Sequence, residues 1–237
     1  MLLRTFISIV LVFDMTNCEE KNNMALVVYE APKIFTIFQT DVREFTFAGH
    51  RLNITQDWEK NGVAAVVWDA ALVLAKYLET TNTVDLVGKR VIELGAGTGL
   101  VGIVAGFLGA QVVITDRKIA LELTRDNVQR NSKNLNTSLV DVRELEWGQD
   151  VSSFNPPFDY ILGADIVYIE ETFSHLLKTI TELSTDKTEL LLSCKIRYER
   201  DSNFLRLLNE TFDVTEVYYD KTVDIYVYKA VKKPDIK

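Results

Sequence analysis

A doubly wound α/β fold, with a mostly parallel sheet between layers of helices, is what three features of this 237-residue chain predict. Short apolar runs of strand length alternate with longer helical segments from Arg90 to Phe212, the order that parallel crossovers need. The first of these runs, Val91-Ile92-Glu93-Leu94, leads straight into Gly95, Gly97 and Gly99 and then into the apolar segment Leu100–Leu108. A strand, a tight turn and a helix in that order form the ligand-binding corner of such sheets. Two last apolar runs are joined only by Asp220-Lys221-Thr222-Val223, which marks a terminal antiparallel hairpin.

Each element has its own reason. Phe6–Phe13 is apolar and follows Arg4, like the hydrophobic part of a signal peptide, but it is too short to span a bilayer and no small-x-small cleavage site comes after it. Residues 1–23 are therefore expected to be a poorly packed leader, and residues 24–237 the folded domain, with Met24-Ala25-Leu26-Val27 resembling a second start. Phe45, Phe47, Leu52 and Ile54 alternate on either side of Ala48-Gly49-His50-Arg51, which predicts a hairpin. Val63–Tyr77 is apolar and free of Gly and Pro, and is expected to be a largely buried helix carrying Trp68 and Asp69. Then come the strand Arg90–Leu94, the helix Leu100–Leu108, the strand Gln111–Thr115 ending at Asp116, and the helix Ile119–Asn131. A short strand Leu139–Val142, the strand Phe158–Gly163, the helix Glu171–Leu183, the strand Glu189–Cys194 and the helix Phe204–Phe212 follow. Val214–Tyr219 and Asp224–Ala230 form the closing hairpin.

Composition narrows the partners. A net charge of −8, with no basic run longer than a pair such as Lys232-Lys233, argues against nucleic acid and for a protein or small-molecule partner. Cys18 and Cys194 make no disulfide framework, and with only His50 and His175 there is no metal-ligand spacing. No metal is expected.

In open α/β sheets ligands sit beyond the carboxyl ends of the strands. Glu93, Asp116, Ala164-Asp165 and Cys194-Lys195 all reach that rim. Gly97-Thr98-Gly99-Leu100-Val101-Gly102 spells a dinucleotide motif, but out of register with a turn that starts at Gly95. With Glu93 two residues before Gly95, the arrangement instead resembles the first motif of S-adenosylmethionine-dependent methyltransferases, in which the acid faces the cationic end of the cofactor. Asp116 is placed to accept ribose hydroxyls, or to cap the next helix. Trp147 is a candidate adenine neighbour or a loop aromatic folded on the core, and Trp68 read by itself is a core aromatic. Asp165 and Tyr168 stand three apart at the rim, where a carboxylate and a phenol can hold and orient a cationic amine, or cap a helix start. Asn155-Pro156-Pro157-Phe158 spells the signature of amino methyltransferases acting on adenine, cytosine or glutamine, but it precedes its strand, so it is read as a loop at the wrong end of the sheet.

From about Met24 to Ala230 the chain resembles the protein-lysine methyltransferases of the seven-β-strand class, whose D-x-x-Y motif matches Asp165–Tyr168. The resemblance is carried by Met24-Ala25-Leu26-Val27, Asp57-Trp58, Gly62–Ala71, Glu93–Ile103, Ile114–Lys118, Trp147-Gly148-Gln149, Ile161–Glu171 and Ile196–Asp201, and by nothing in residues 1–23. It implies a Rossmann-like seven-stranded methyltransferase fold with an N-terminal hairpin and helix beside the cofactor site. It implies S-adenosylmethionine as cofactor, with Trp68, Gly95, Ala96, Gly97, Asp116, Trp147 and Ala164 around it and Glu93 behind the glycine turn. Transfer of a methyl group to a protein lysine follows, and a similarity within the class to the member that methylates seventy-kilodalton heat-shock chaperones implies such a chaperone as substrate. The expected protein is a monomer acting in the cytoplasm, with no nucleic acid and no stable membrane insertion. The rival readings are a methyltransferase for a small molecule or nucleic acid, and a non-catalytic interaction module on the same fold.

Overall fold

The computed structural model describes residues 40–234. The expectations for a leader over residues 1–23 and a domain start at Met24 lie outside the described residues. β1 (Val42–Phe47) and β2 (His50–Thr55) pair antiparallel as a two-stranded sheet. The link between them is shorter than expected: only Ala48 and Gly49 turn, both at positive φ (50° and 74°), while His50 and Arg51 pair with Phe47 and Thr46 inside the hairpin. Two residues with φ > 0 match the twist of the flanking strands, so the four-residue link contracts to a two-residue turn.

The buried helix expected from Val63 starts later. After a short α1 (Trp58–Asn61), residues Gly62–Ala65 form a 3₁₀ turn, Val66 and Trp68 are extended, and α2 runs from Asp69 to Thr80. The helix is displaced because side chains from the hairpin region satisfy the backbone of the extended stretch. The Val67 N–H donates to Gln56 Oε1 at 2.8 Å, and Arg43 Nη1 donates to the Val67 carbonyl at 2.9 Å. Local apolar pattern cannot report such long-range partners.

The main sheet contains β3 (Arg90–Leu94), β4 (Gln111–Asp116), β5 (Val140–Glu144), β6 (Tyr160–Ala164), β7 (Glu189–Cys194), β8 (Phe212–Asp220) and β9 (Ile225–Lys232). Its order is β5-β4-β3-β6-β7-β9-β8, parallel from β5 to β7 and antiparallel at β9 and β8. The crossovers include α3 (Leu100–Phe107), α4 (Leu121–Arg130), α5 (Phe173–Leu183) and α6 (Glu199–Thr211). α6 begins five residues before the expected Phe204, and its first turn, Glu199-Arg200-Asp201-Ser202, carries no apolar residue to mark it. There the Asp201 carboxylate accepts the N–H groups of Arg197 and Tyr198 at 2.8 and 2.9 Å and fixes the helix start.

β3 alternates between two cores. Val91 packs with Leu74 of α2 and Ile103 of α3, while Ile92 and Leu94 pack with Leu176 of α5 and Phe204 of α6. The chain leaves β3 toward β4 and β5, then returns on the other side of β3 as β6. That reversal is the switch point at which such sheets open a crevice at their carboxyl edge. The Asn155-Pro156-Pro157 loop lies at the other edge: Arg90, the first residue of β3, donates to the carbonyls of Asn155 and Pro157 at 2.8 and 2.6 Å.

Candidate active site

A cavity of about 520 Å³ opens at the switch point, within the range of small-molecule sites. Every site residue expected from the sequence borders it.

Its floor is the glycine turn. Gly95 and Gly97 lie at φ 62° and 54°, the left-handed region that favours glycine. A Cβ on Gly95 would stand 2.8 Å from Ile166 Cγ2 and 3.1 Å from Trp147 Cζ2, and one on Gly97 would stand 2.7 Å from the Ala64 carbonyl oxygen. A side chain at either position would collide with residues that wall the cavity, so bare backbone is required there. Ala96 sits between them, its N–H donating to the Thr115 carbonyl at 3.0 Å.

Two buried acids flank the turn. Asp116 Oδ2 accepts the Gly97 N–H at 2.7 Å, and Oδ1 accepts the Arg117 N–H at 2.6 Å. Asp116 closes β4 and α4 starts only at Leu121, so it does not cap that helix. Burial raises its pKa, opposed by those two N–H groups. Glu93 Oε2 accepts the Gly102 N–H of α3 at 2.8 Å. Burial pushes the Glu93 carboxyl up to about 8; the Gly102 N–H opposes this and the Asp116 charge adds to it. Two carboxyl groups thus meet in a space that a cationic ligand would neutralise. Behind the turn, Thr124 Oγ1 donates to the Gly97 carbonyl at 2.7 Å and Asn127 Nδ2 to the Thr98 carbonyl at 3.0 Å.

The walls carry the aromatics. Trp147, partly buried, packs on the α5–α6 side of the core as well as bordering the cavity. Trp68, at the start of α2 and not inside it, donates from Nε1 to the Val63 carbonyl at 2.9 Å. His175 of α5, which sequence reasoning set aside, also borders the cavity.

Ala164 ends β6, and Asp165 follows at φ 53°. The Asp165 N–H donates to the Ser193 carbonyl at 2.8 Å, and the next helical turn begins only at Glu170, so capping does not explain this acid. Its carboxylate meets the guanidinium of Arg197, with Nη1–Oδ1 3.1 Å and Nη2–Oδ2 3.4 Å. Arg197 is the rim residue whose role the sequence did not reveal; its signals were its place just past Cys194-Lys195 and within the Ile196–Asp201 stretch of the resemblance. Tyr168 is half exposed at the mouth, its pKa raised by burial.

Comparison with known proteins gives this geometry its chemistry. Residues 46–211 match the family model described as lysine methyltransferase. The protein N-lysine methyltransferase METTL21A of Mus musculus is 52% identical over 89% of this chain and 97% of its own length. The EEF1A lysine methyltransferase 3 of the same species is 43% identical over 84% of this chain and 85% of its own. Among solved structures, the 16S rRNA N2 G1207 methyltransferase of T. thermophilus, in complex with AdoMet and guanosine, superposes with a TM-score of 0.61 at 16% identity, covering 81% of this chain and 50% of that one. That likeness shows the fold alone. The dinucleotide and non-catalytic readings fall with the family match, and the methyl donor is S-adenosylmethionine. The chain belongs to the lysine methyltransferase family and is an S-adenosylmethionine-dependent protein-lysine N-methyltransferase.

Proposed function

We propose that the protein substrate is a seventy-kilodalton heat-shock chaperone and that its lysine ε-amine is received at Asp165 and Tyr168. The observation that carries the site reading is the opening of the acid-lined glycine turn and the Asp165 rim into one cavity. The substrate reading rests on the resemblance of the stretches from Met24 to Asp201, taken together, to the chaperone-methylating member of the class.

The residues present fit the donor. The turn at Gly95 and Gly97 leaves backbone where side chains would collide, and Glu93 and Asp116 offer buried acceptors. Glu93 would balance the cationic end, Gly95, Ala96 and Gly97 would carry the amino-acid part, and Asp116 would accept ribose hydroxyls through lone pairs left by its two N–H bonds. Trp147 would border the adenine, with Trp68 and Ala164 closing the walls. When bound, S-adenosylmethionine supplies an electrophilic methyl: the amine lone pair takes the carbon, and the electron pair of the broken C–S bond stays on sulfur. The chain's own work is placement and exclusion of water. A lysine is mostly protonated at neutral pH and must enter as the free amine; the partly dry wall lowers its pKa. Asp165 orients the amine and Tyr168 borders its path. Action as a monomer in the cytoplasm belongs to the same reading.

Asp165→Asn tests the site. Asn also tolerates the left-handed conformation found at Asp165, so the fold is preserved while the charge is lost. Turnover should fall at least tenfold while S-adenosylmethionine affinity stays near wild type, a loss of ~1.4 kcal/mol or more in the transition state. Undiminished transfer would remove the assignment. The substrate is tested by offering purified seventy-kilodalton chaperone and elongation factor 1A side by side. Methylation of the chaperone supports the reading; methylation of the elongation factor alone, which the name of one relative invites, overturns it.

A further inference from the structure

Arg197 brings a permanent positive charge to the rim that is to receive an amine. Its guanidinium borders the cavity and grips Asp165 with both terminal nitrogens, at 3.1 and 3.4 Å. The backbone of both partners is anchored. The N–H groups of Arg197 and Tyr198 are tied to Asp201, which is 2% exposed, and the Asp165 backbone is tied to Ser193. The Asp165 side chain is 12% exposed and that of Arg197 41%, so the carboxylate is the covered partner and the guanidinium the one nearer solvent.

A lone carboxylate at this place would bind lysine best as the ammonium, which has no lone pair with which to attack. A carboxylate already paired with a guanidinium attracts a second cation far less. The guanidinium repels an ammonium, yet it leaves the neutral amine able to donate to Asp165. We propose that Arg197 is a positioning residue which, through its grip on Asp165, makes the rim select the unprotonated form of the target lysine. This rests on Asp165 being the group that receives the amine.

The other titratable groups around the pair do not take over that role. Burial pushes the Cys194 thiol of β7 up to about 12 and raises the Tyr168 phenol, so both stay neutral near pH 7. Asp201 of α6 is held by two backbone N–H groups, and Lys195 pairs with Asp224 at 3.4 Å. At the next strand end Arg117 and Asp116 act on Tyr168 with opposite sign.

The test is the pH dependence of kcat and KM, since the kcat profile reports ionisation in the enzyme–substrate complex. The full chain is assayed with saturating S-adenosylmethionine and whichever of the chaperone and elongation factor 1A accepts methyl. In Arg197→Gln the limb along which kcat rises with pH should move upward by on the order of one unit. Well below that limb kcat should drop about tenfold while KM for the protein substrate stays level or falls, because the ammonium is now welcomed but inert. Arg197→Lys keeps the charge and should keep the wild-type limb; Arg197→Ala should reproduce the shift from a second truncation. S-adenosylmethionine affinity, measured by calorimetry, should match wild type in all three. An unshifted limb in Arg197→Gln and Arg197→Ala, or a rise in KM with unchanged kcat, overturns the inference, as does a limb in Arg197→Lys displaced as far as in Arg197→Gln. If Asp165→Asn is slow while those limbs stay put, only the role of Arg197 fails. If Asp165→Asn is undiminished, the amine-receiving role of Asp165 fails as well.

Discussion

Replacing Asp116 by Asn separates two jobs that one carboxylate performs. Each of its oxygens already accepts a backbone N–H, from Gly97 at 2.7 Å and from Arg117 at 2.6 Å. An amide has one oxygen, so one of these N–H groups would face an NH₂ and lose its partner. A hydrogen bond to a charged group contributes about 1.5–3 kcal/mol, and the cost of burying the charge, which raises the Asp116 pKa, is relieved at the same time. A net loss of about 1–2 kcal/mol remains, or roughly 2–8 °C in melting temperature for a chain of this size. If Asp116 also accepts ribose hydroxyls, S-adenosylmethionine should bind about 10- to 100-fold more weakly. Thermal melts without ligand read the first effect, and calorimetric titration reads the second. A lower melting temperature with unchanged affinity would leave Asp116 as a brace of the glycine turn only. If neither quantity moved, Asp116 would serve neither as brace nor as ribose acceptor.

Glu93 gives a pH test with a definite sign. Its carboxyl is raised from 4.5 to about 8 in the folded protein, so the stability tied to its proton is complete below the unfolded value and is lost as pH rises toward about 8. Without ligand the melting temperature should show that loss, relative to Glu93→Gln, and the stabilisation by S-adenosylmethionine should grow over the same window, with a proton released on binding. Calorimetry in buffers of different ionisation heat would show that proton, and its absence would contradict the pairing of Glu93 with the cationic end. Asn155 should be irrelevant to transfer. Because it sits at φ 53°, Asn155→Gly is the clean substitution, and a large fall in turnover with intact folding would mean the loop reaches the active rim after all.

The parts of the fold that could be read from sequence are those with local causes. Glu93 before Gly95 and Asp116 after a β-rich run declare strand ends, and in a parallel sheet strand ends converge at one edge. The Asn-Pro-Pro-Phe run could be dismissed for the same reason: it precedes its strand. Features set by partners distant in sequence could not be read. The start of α2 depends on Gln56 and Arg43 holding the Val67 backbone. The grip of Arg197 on Asp165 spans 32 residues. The outer edge of β2 is closed by side chains of α4 instead of by a strand: Asn127 accepts the Thr55 N–H at 2.8 Å and donates to its carbonyl at 3.1 Å. One helical turn on, Asn131 does the same for Asn53, at 2.9 Å in both directions. Nothing in the composition of α4 announces that two amides will satisfy a strand edge, because Asn on a helix reads as ordinary surface.

The proposed reaction moves a methyl group from S-adenosylmethionine to a lysine ε-amine of a heat-shock chaperone at the Asp165 rim. The most direct measurement is to incubate the protein, and separately Asp165→Asn, with methyl-labelled S-adenosylmethionine and a cell lysate, then to identify the labelled protein and residue by mass spectrometry. Label is expected on a lysine of a seventy-kilodalton chaperone with the wild-type protein and at greatly reduced level with the variant. Label on nucleic acid or on a small molecule, or equal label from both proteins, would contradict it.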